Sequence, residues 1–132
     1  MSHQFLHGDI TDRILRCAVD IHRVLGPGLP EGSYHRAMAV GMRNEGLRFS
    51  EEPALEMSYQ GVKVGRHKPD FVVEGVVVLE LKAVKQIEPF VAKQILTYLR
   101  VSGLRVGLIV NFNAPWSCDE NKDRRSTTST TF

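Results

Sequence analysis

Three charged residues stand in a pattern that could bind a metal ion and assist chemistry at a phosphate. Asp70 lies in the segment KPDFVV, and Glu80 and Lys82 lie in the segment VVVLELKA. Side chains two positions apart on a strand point to the same face, so Glu80 and Lys82 share one. Charged groups near the end of an apolar strand are costly to bury unless they are paired or bind an ion. The three residues are therefore candidates for a functional site.

The hydrophobic pattern predicts the strand register that would bring Asp70 to this pair. If Asp70 lies opposite Glu80 in an antiparallel hairpin, Lys82 shares their face and the other face is wholly apolar. The apolar face would carry Phe71, Val73, Val77, Leu79 and Leu81, and the charged face would also carry Val72 and Val78. A shift of one residue would mix the two faces. This register requires a turn of odd length around Gly75, such as a three-residue loop with a left-handed residue.

Such a cluster suits a hard divalent cation. Mg²⁺ commonly binds one or two carboxylates and keeps waters for a substrate phosphate. Bound Mg²⁺ or Mn²⁺ polarises a phosphoryl oxygen and lowers the pKa of a water ligand. Lys82 could hold the attacking water or stabilise the charge that develops on phosphorus. A purely structural interpretation is also open, in which Glu80 and Lys82 form a surface salt bridge and Asp70 is a turn residue after Pro69.

The order of elements that must position these residues is predicted to be α, α, β, β, β, α, β. The first helix begins near Asp9 and ends at Gly26, and the second begins at Pro30 and ends at Gly46. The predicted strands span residues 55–59, 62–73 with a bulge near Gly65, 76–83 and 104–111, and the last helix spans 89–102. The expected architecture is α/β, with one mixed sheet between helices on both faces.

Other polar residues at helical spacing are candidates for the same site. Gln94 and Tyr98 lie four positions apart on the last helix and are predicted to point towards the Asp70–Glu80 site. A separate polar face, formed by Lys93, Thr97 and Arg100, is expected to face solvent. Alternatively, Tyr98 packs by its ring and Gln94 is a rim residue. Glu31 shares a helix face with Tyr34 and Met38, although the helix dipole alone favours an acidic residue in a first turn.

Composition bounds the class of protein. The 132 residues suit one domain, and 42% hydrophobic with 24% charged residues is ordinary for a globular protein. Cys17 and Cys118 are far apart and form no disulfide framework, and no signal peptide or membrane span is recognisable, so a cytoplasmic location is expected. The net charge of +2 permits a polyanionic partner without requiring one. Residues 1–115 are predicted to form the domain, and the polar, Ser- and Thr-rich residues 116–132 a disordered tail.

The motifs carry a family resemblance. Residues 28–34, GLPEGSY, match a GxxExxY signature, and the likeness continues in order through RNEGL, YQGVKVG, PDFVVEG, VVVLELKAV, QILTYLR, SGLRVGLIVNF and NAP. The chain thus resembles, over roughly residues 10 to 115, the GxxExxY family, which is similar to the PD-(D/E)xK nuclease superfamily. The resemblance implies a restriction-endonuclease-like αβββαβ core, here with one extra N-terminal helix.

The resemblance also implies roles for individual residues. Asp70, Glu80 and Lys82 fit the catalytic core, with Asp70 and Glu80 as ligands of Mg²⁺ or Mn²⁺. Glu31 fits an acidic residue that adds a metal or water ligand. The pair Gln94 and Tyr98 fits the QxxxY motif of the exonuclease-like branch. Tyr34 belongs to the signature without an implied chemical role, and Val91 stands where a histidine is expected in many relatives.

Three functions remain open at this point. The first is a Mg²⁺- or Mn²⁺-dependent nuclease that cleaves DNA, with RNA as the alternative substrate. The second is a catalytically silent nucleic-acid-binding or accessory module on the same fold. The third is a structural oligomer in which the charges form an internal salt bridge. A homodimer, or attachment to a larger assembly, would help so short a domain to reach both strands of a duplex.

Overall fold

The computed structural model describes residues 7–113 and 129–131. In these residues the chain forms the mixed α/β fold that the sequence predicts. The helices are α1 (Gly8–Leu25), α2 (Glu31–Asn44) and α3 (Pro89–Ser102). The strands are β1 (Phe49–Glu51), β2 (Leu55–Tyr59), β3 (Val62–His67), β4 (Phe71–Val73), β5 (Val77–Lys82), β6 (Val106–Asn111) and β7 (Ser129–Thr131). No helix in the described part of the chain is both long and apolar enough to cross a membrane.

The main sheet contains five strands in the order β1-β4-β5-β6-β7. Strands β5 and β6 are parallel, and the other neighbouring pairs are antiparallel. A parallel pair needs a crossover connection, which α3 provides between β5 and β6. All residues of β6 and all but the last residue of β5 are buried, as their runs of valine, leucine and isoleucine predict.

The predicted register of the central hairpin is confirmed. Strands β4 and β5 pair Phe71 with Leu79 and Val73 with Val77. A three-residue loop joins them, in which Glu74 and Gly75 have positive φ angles of 53° and 67°. One face of this hairpin packs in the core with α1 and α2, and the other packs against α3. The face that is not wholly apolar, with Glu80 and Lys82 by parity, is therefore the α3 face. Asp70 precedes β4, and its carboxylate lies at the end of the hairpin within reach of α2.

The prediction of a single sheet is wrong. Strands β2 and β3 pair only with each other and form a separate two-stranded sheet. The predicted strand over 62–73 breaks at Lys68 and Pro69, because proline lacks a backbone donor and restricts the residue before it. The short strand β1, which was not predicted, pairs with β4 instead. The predicted bulge is confirmed, since the β2–β3 register shifts next to Gly65.

The prediction of a disordered tail is wrong for three residues. Ser129–Thr131 form β7, which pairs antiparallel with Leu108–Val110 of β6. Threonine is β-branched and favours strands, and the free side of β6 offers unpaired backbone groups to a further strand. Residues 116–128 and 132, the remainder of the predicted tail, lie outside the described residues, as does Cys118.

Tyr34 of the signature has a structural role. Its hydroxyl donates to the carbonyl oxygen of Gly26 at 2.6 Å and accepts from the amide of Leu29 at 3.2 Å. Its ring is fully buried and stacks on Phe112, with centroids 4.4 Å apart and planes inclined by 2°. Tyr34 thereby fixes the connection between α1 and α2, and so the position at which α2 begins.

Removing only this hydroxyl is expected to destabilise the fold. The Tyr34→Phe variant keeps the stacked ring but loses both hydrogen bonds, which should lower the free energy of unfolding by about 1–2 kcal/mol. Urea denaturation measures the difference. Tyr59→Phe is the matched control, because Tyr59 is exposed and its hydroxyl accepts from the side chain of its neighbour Gln60. Equal stabilities of the two variants would contradict the assignment.

Candidate active site

The structure brings Asp70 and Glu80 into direct contact. Asp70 immediately precedes β4, and its amide donates to Glu80 Oε1 at 3.1 Å. The Asp70 carboxylate in turn accepts from the amide of Leu81, at 2.8 Å from Oδ2. These two hydrogen bonds join the two segments just beyond Phe71 and Leu79, the last paired residues of β4 and β5. The spacing of an aspartate before one strand and a glutamate within the next therefore places two carboxyl groups together.

Burial and a like charge keep the Glu80 carboxyl protonated. Glu80 is only 7% exposed. Desolvation, followed by the hydrogen bond with Asp70 and its negative charge, raises the pKa of Glu80 to about 8. The amide of Asp70 and the positive charge of Lys82 oppose this pKa shift. At neutral pH the proton on Glu80 therefore limits the repulsion between the two neighbouring carboxyl groups.

His35 is a partner of Asp70 that the sequence analysis missed. Its Nδ1 lies 2.8 Å from Asp70 Oδ1, and its Nε2 lies 3.2 Å from Glu51 Oε1. The ring also stacks on Phe71, with centroids 4.3 Å apart. A doubly protonated imidazole can donate to both carboxylates. His35 therefore fixes the orientation of Asp70 from α2.

A second histidine, His67, lies beside Glu80. Its Nε2 is 3.3 Å from Glu80 Oε2, but this contact lacks hydrogen-bond geometry, and within the described residues the atom is buried without a hydrogen-bond partner. Burial, then the charge of Lys82, lowers the pKa of His67 against a smaller opposing effect of Asp70. The ring meets Tyr98 edge to face at 5.7 Å. His67 is thus a neutral imidazole at neutral pH, next to a protonated carboxyl.

Lys82 contributes charge to the site without a short ion pair. It is half-buried at the end of β5, on the Glu80 side of the strand by parity. Among residues 7–113 no carboxylate forms an ion pair with its ammonium group, so the interpretation as a Glu80–Lys82 salt bridge receives no support there. Its charge nevertheless lowers the pKa values of both Glu80 and His67.

Glu31 reaches the cleft of Asp70 but not the Asp70–Glu80 pair. This cleft, termed the acidic cleft, has a volume of about 320 Å³. It is lined by Glu31, Gly32, His35, Arg36, Glu52 and Asp70. In the part of the chain that the structure describes, no three histidine, cysteine or acidic side chains are grouped to hold a metal ion. The predicted convergence of Glu31, Asp70 and Glu80 is therefore not found there.

Gln94 and Tyr98 face a second cleft, on the α3 side of the sheet. This cleft, termed the basic cleft, has a volume of about 330 Å³. It is lined by Met57, Arg66, His67, Phe90, Lys93, Gln94, Thr97 and Tyr98. Tyr98 is buried, and desolvation followed by the nearby Glu80 raises its pKa, so it is a neutral phenol at neutral pH.

The predicted orientation of α3 is confirmed in outline. Gln94 is half-buried and Tyr98 is buried, whereas the polar side chains Lys93, Thr97 and Arg100 are exposed. Lys93 and Thr97 nevertheless line the basic cleft and do not form a face remote from it. Val91 is buried against the sheet, which makes it a packing residue.

The two carboxyl groups fit a hard divalent cation. Mg²⁺ requires only one or two protein carboxylates, because water and substrate phosphate complete its octahedron. A buried, protonated glutamate beside an aspartate is also the arrangement in which a cation can replace a proton. The donors on this chain would be Asp70 and Glu80.

Comparison with known proteins assigns the family. A family model described as the PD-(D/E)XK nuclease superfamily matches residues 8–124. The protein therefore belongs to this superfamily, and its three helices and mixed central sheet are a restriction-endonuclease-like fold. The match continues beyond residue 115, where the sequence analysis placed the end of the domain. Searches of curated proteins and of solved structures found no match.

Proposed function

We propose that the protein is a nuclease that hydrolyses DNA phosphodiester bonds with Mg²⁺ or Mn²⁺ bound by Asp70 and Glu80. The observation that carries this proposal is that the Asp70 amide donates to Glu80 Oε1 and the Asp70 carboxylate accepts from the Leu81 amide, which holds both carboxyl groups at the end of β5 near Lys82. The membership of a nuclease superfamily supports the same chemistry. Fold alone does not determine function, so the argument rests on these residues.

Each residue has a distinct part in the proposed reaction. Asp70 and Glu80 would hold the metal, and Glu80 would give up its proton when the metal binds. The bound ion would polarise the phosphoryl oxygen and lower the pKa of the attacking water. Lys82 would stabilise the negative charge that develops on phosphorus. In the basic cleft, the uncharged side chains of Gln94 and Tyr98 would orient the substrate by hydrogen bonds. Glu31 would bind a water molecule from the acidic cleft.

Several finer assignments belong to this proposal. The GLPEGSY segment supports membership of the GxxExxY family within the superfamily. The well-separated cysteines support a reducing, cytoplasmic location. A homodimer, or a place as an accessory subunit of a larger assembly, would let the domain act on both strands of a duplex.

A second candidate function is a catalytically silent nucleic-acid-binding or accessory module. One observation favours it: both oxygens of Asp70 already have partners, His35 at Oδ1 and the Leu81 amide at Oδ2. Each oxygen keeps a second lone pair, so a bound ion would have to share Asp70 with both His35 and the Leu81 amide. This candidate predicts binding without cleavage under all metal conditions.

One experiment separates the two candidates. Purified protein is incubated with linear, nicked and single-stranded DNA, and with RNA, in Mg²⁺, in Mn²⁺ and in EDTA. The nuclease proposal expects cleavage that requires the metal and is absent from the Asp70→Ala variant. Intact substrates under every condition, or equal cleavage in EDTA, would overturn it.

A further inference from the structure

The basic cleft and the acidic cleft have opposite chemistry. Among the residues that the structure describes, three carboxylates line the acidic cleft beside Arg36, whereas two exposed cations, Arg66 and Lys93, and no carboxylate line the basic cleft. Its remaining polar groups lie on His67, Gln94, Thr97 and Tyr98. The basic cleft is therefore suited to an anion and the acidic cleft to a cation.

An exposed aromatic ring is the second feature of the basic cleft. Phe90 lies at the start of α3 and is 64% exposed, although the neighbouring Val91 and Ile95 of the same helix are buried. Its ring therefore contributes little to the core. A ring exposed beside two cations is the combination that binds nucleic-acid strands, in which bases stack on aromatic groups and phosphates pair with Lys and Arg.

We propose that the basic cleft binds a single-stranded segment of nucleic acid, with Phe90 stacking on an unpaired base and Arg66 and Lys93 pairing with phosphates. This inference rests on the proposed function, because the bound strand would present its phosphodiester to the Asp70–Glu80 site. His67 connects the basic cleft to the Asp70–Glu80 site, because it lines this cleft and its Nε2 lies 3.3 Å from Glu80 Oε2.

Single-stranded substrate follows from the stacking group. The bases of a duplex are already stacked on one another, so an exposed phenyl ring can stack only on a base that is unpaired. A cleft of about 330 Å³ is also in the range of sites for small ligands and admits a short piece of one strand. Unpaired bases and phosphates occur in single strands of both DNA and RNA, so both kinds of strand are tested.

Fluorescence anisotropy in EDTA tests the inference without any cleavage. Labelled single-stranded DNA and RNA oligonucleotides, and a DNA duplex of equal length, are titrated with the wild type and with matched variants. Phe90→Ala is compared with Tyr59→Ala, which also removes an exposed aromatic ring but outside the cleft. Lys93→Gln is compared with Arg100→Gln on the same helix, outside the cleft lining.

The expected results differ for the two contacts. Phe90→Ala should weaken single-strand binding roughly tenfold or more, with an unchanged salt dependence. Lys93→Gln should reduce the slope of log K against log salt by about 0.7, the value for one lost phosphate contact on a single strand. Neither control should change affinity, and the duplex should bind more weakly than the single strand. A preference for DNA over RNA, or the reverse, identifies the natural strand.

The outcomes distinguish this inference from the proposed function. Wild-type affinity in Phe90→Ala and Lys93→Gln, equal affinity for duplex, or no single-strand binding would overturn the inference, whether or not the protein cleaves DNA. Tight single-strand binding through these residues without cleavage in Mg²⁺ or Mn²⁺ would sustain the inference and defeat the nuclease proposal. Thermal melts of the variants show that they are folded, as expected for exposed positions.

Discussion

The free energy of unfolding of the metal-free protein is expected to fall by about 1–2 kcal/mol between pH 6.5 and 8, because Glu80 loses about half of its proton by the upper end of this range. The pKa of Glu80 is about 8 in the folded protein and lies near 4.5 in the absence of its surroundings. The folded state therefore binds more protons than the unfolded state between these pH values. Stability from this group is present at low pH and is lost as the pH rises through 8.

Two other groups with shifted pKa values affect stability mainly outside the range from pH 6.5 to 8. The pKa of His67 is lowered, so its contribution to stability is lost only as the pH falls below about 6.5, the ordinary value of histidine. Burial raises the pKa of the Cys17 thiol above its ordinary value of 9.0, so its effect begins above the window. Between pH 6.5 and 8, Glu80 is the group whose pKa shift predicts a decrease in stability.

The Glu80→Gln variant isolates this effect. Its amide has nearly the shape of the carboxyl, can accept from the Asp70 amide and donate to the Asp70 carboxylate, and does not titrate. Urea denaturation of both proteins in EDTA at a series of pH values gives the comparison. A wild type whose stability is constant over the window, or a variant with the same slope, would show that Glu80 is ionised throughout.

The central hairpin shows how much the sequence can determine. The alternation of Phe71, Val72 and Val73 against the valines and leucines of β5 excludes a shift of one residue, because such a shift places charge in the core. The contact of Asp70 with Glu80 follows from that register and from the chain geometry of a three-residue loop. Helical spacing similarly predicts the burial of Tyr98.

Contacts between distant segments could not be predicted in this way. His35 meets Asp70 across a separation of 35 residues, and a single sequence contains no periodicity that relates a helix face to a strand end. The separate β2–β3 sheet was missed for a related reason. The alternation of side chains in β2 and β3 is that of any strand and does not indicate which sheet a strand joins. In the structure the chain leaves the strand conformation at Pro69, and β1 takes the place beside β4.

Glu31 shows what helical spacing can indicate about the site. Its position in the GxxExxY signature and on α2 suggested a third ligand, yet it lies exposed on the acidic cleft, one helical turn before His35. The i to i+4 relation of Glu31 and His35 was the available signal that α2 faces Asp70.

The Asp70→Asn variant is expected to lose DNA cleavage roughly a hundredfold to a thousandfold, the range for removal of one group that stabilises charge in a transition state. Half of the proposed metal-binding pair is removed with almost no change of shape. The assay uses linear DNA in Mg²⁺ or Mn²⁺. Asp12→Asn on α1 is the matched control, since it makes the same chemical change at an exposed position and should cleave like the wild type.

The stability of the same variant without metal should remain close to that of the wild type. The asparagine oxygen can accept from the Leu81 amide, and its amide group can donate to His35 Nδ1 when the ring proton is on Nε2, opposite Glu51. At pH 7 the proton on Glu80 already offsets the repulsion between the two carboxyls, so a difference within ~1 kcal/mol is expected. Above pH 8 the variant should be the more stable protein, because Glu80 then ionises beside a neutral neighbour.

The change in stability on adding metal shows whether the Asp70–Glu80 pair binds a metal ion or has only a structural role. Metal at a hundredfold excess over its dissociation constant should stabilise the wild type by about 2.7 kcal/mol through mass action, and Asp70→Asn by much less. Thermal melts with EDTA, Mg²⁺ and Mn²⁺ measure this directly. If Asp70 instead serves only to complete a buried ion pair with His35, its neutralisation should cost roughly 3–5 kcal/mol in EDTA, and neither protein should respond to metal. That pattern, together with DNA left intact by the wild type, would identify the pair as part of the architecture of an accessory module.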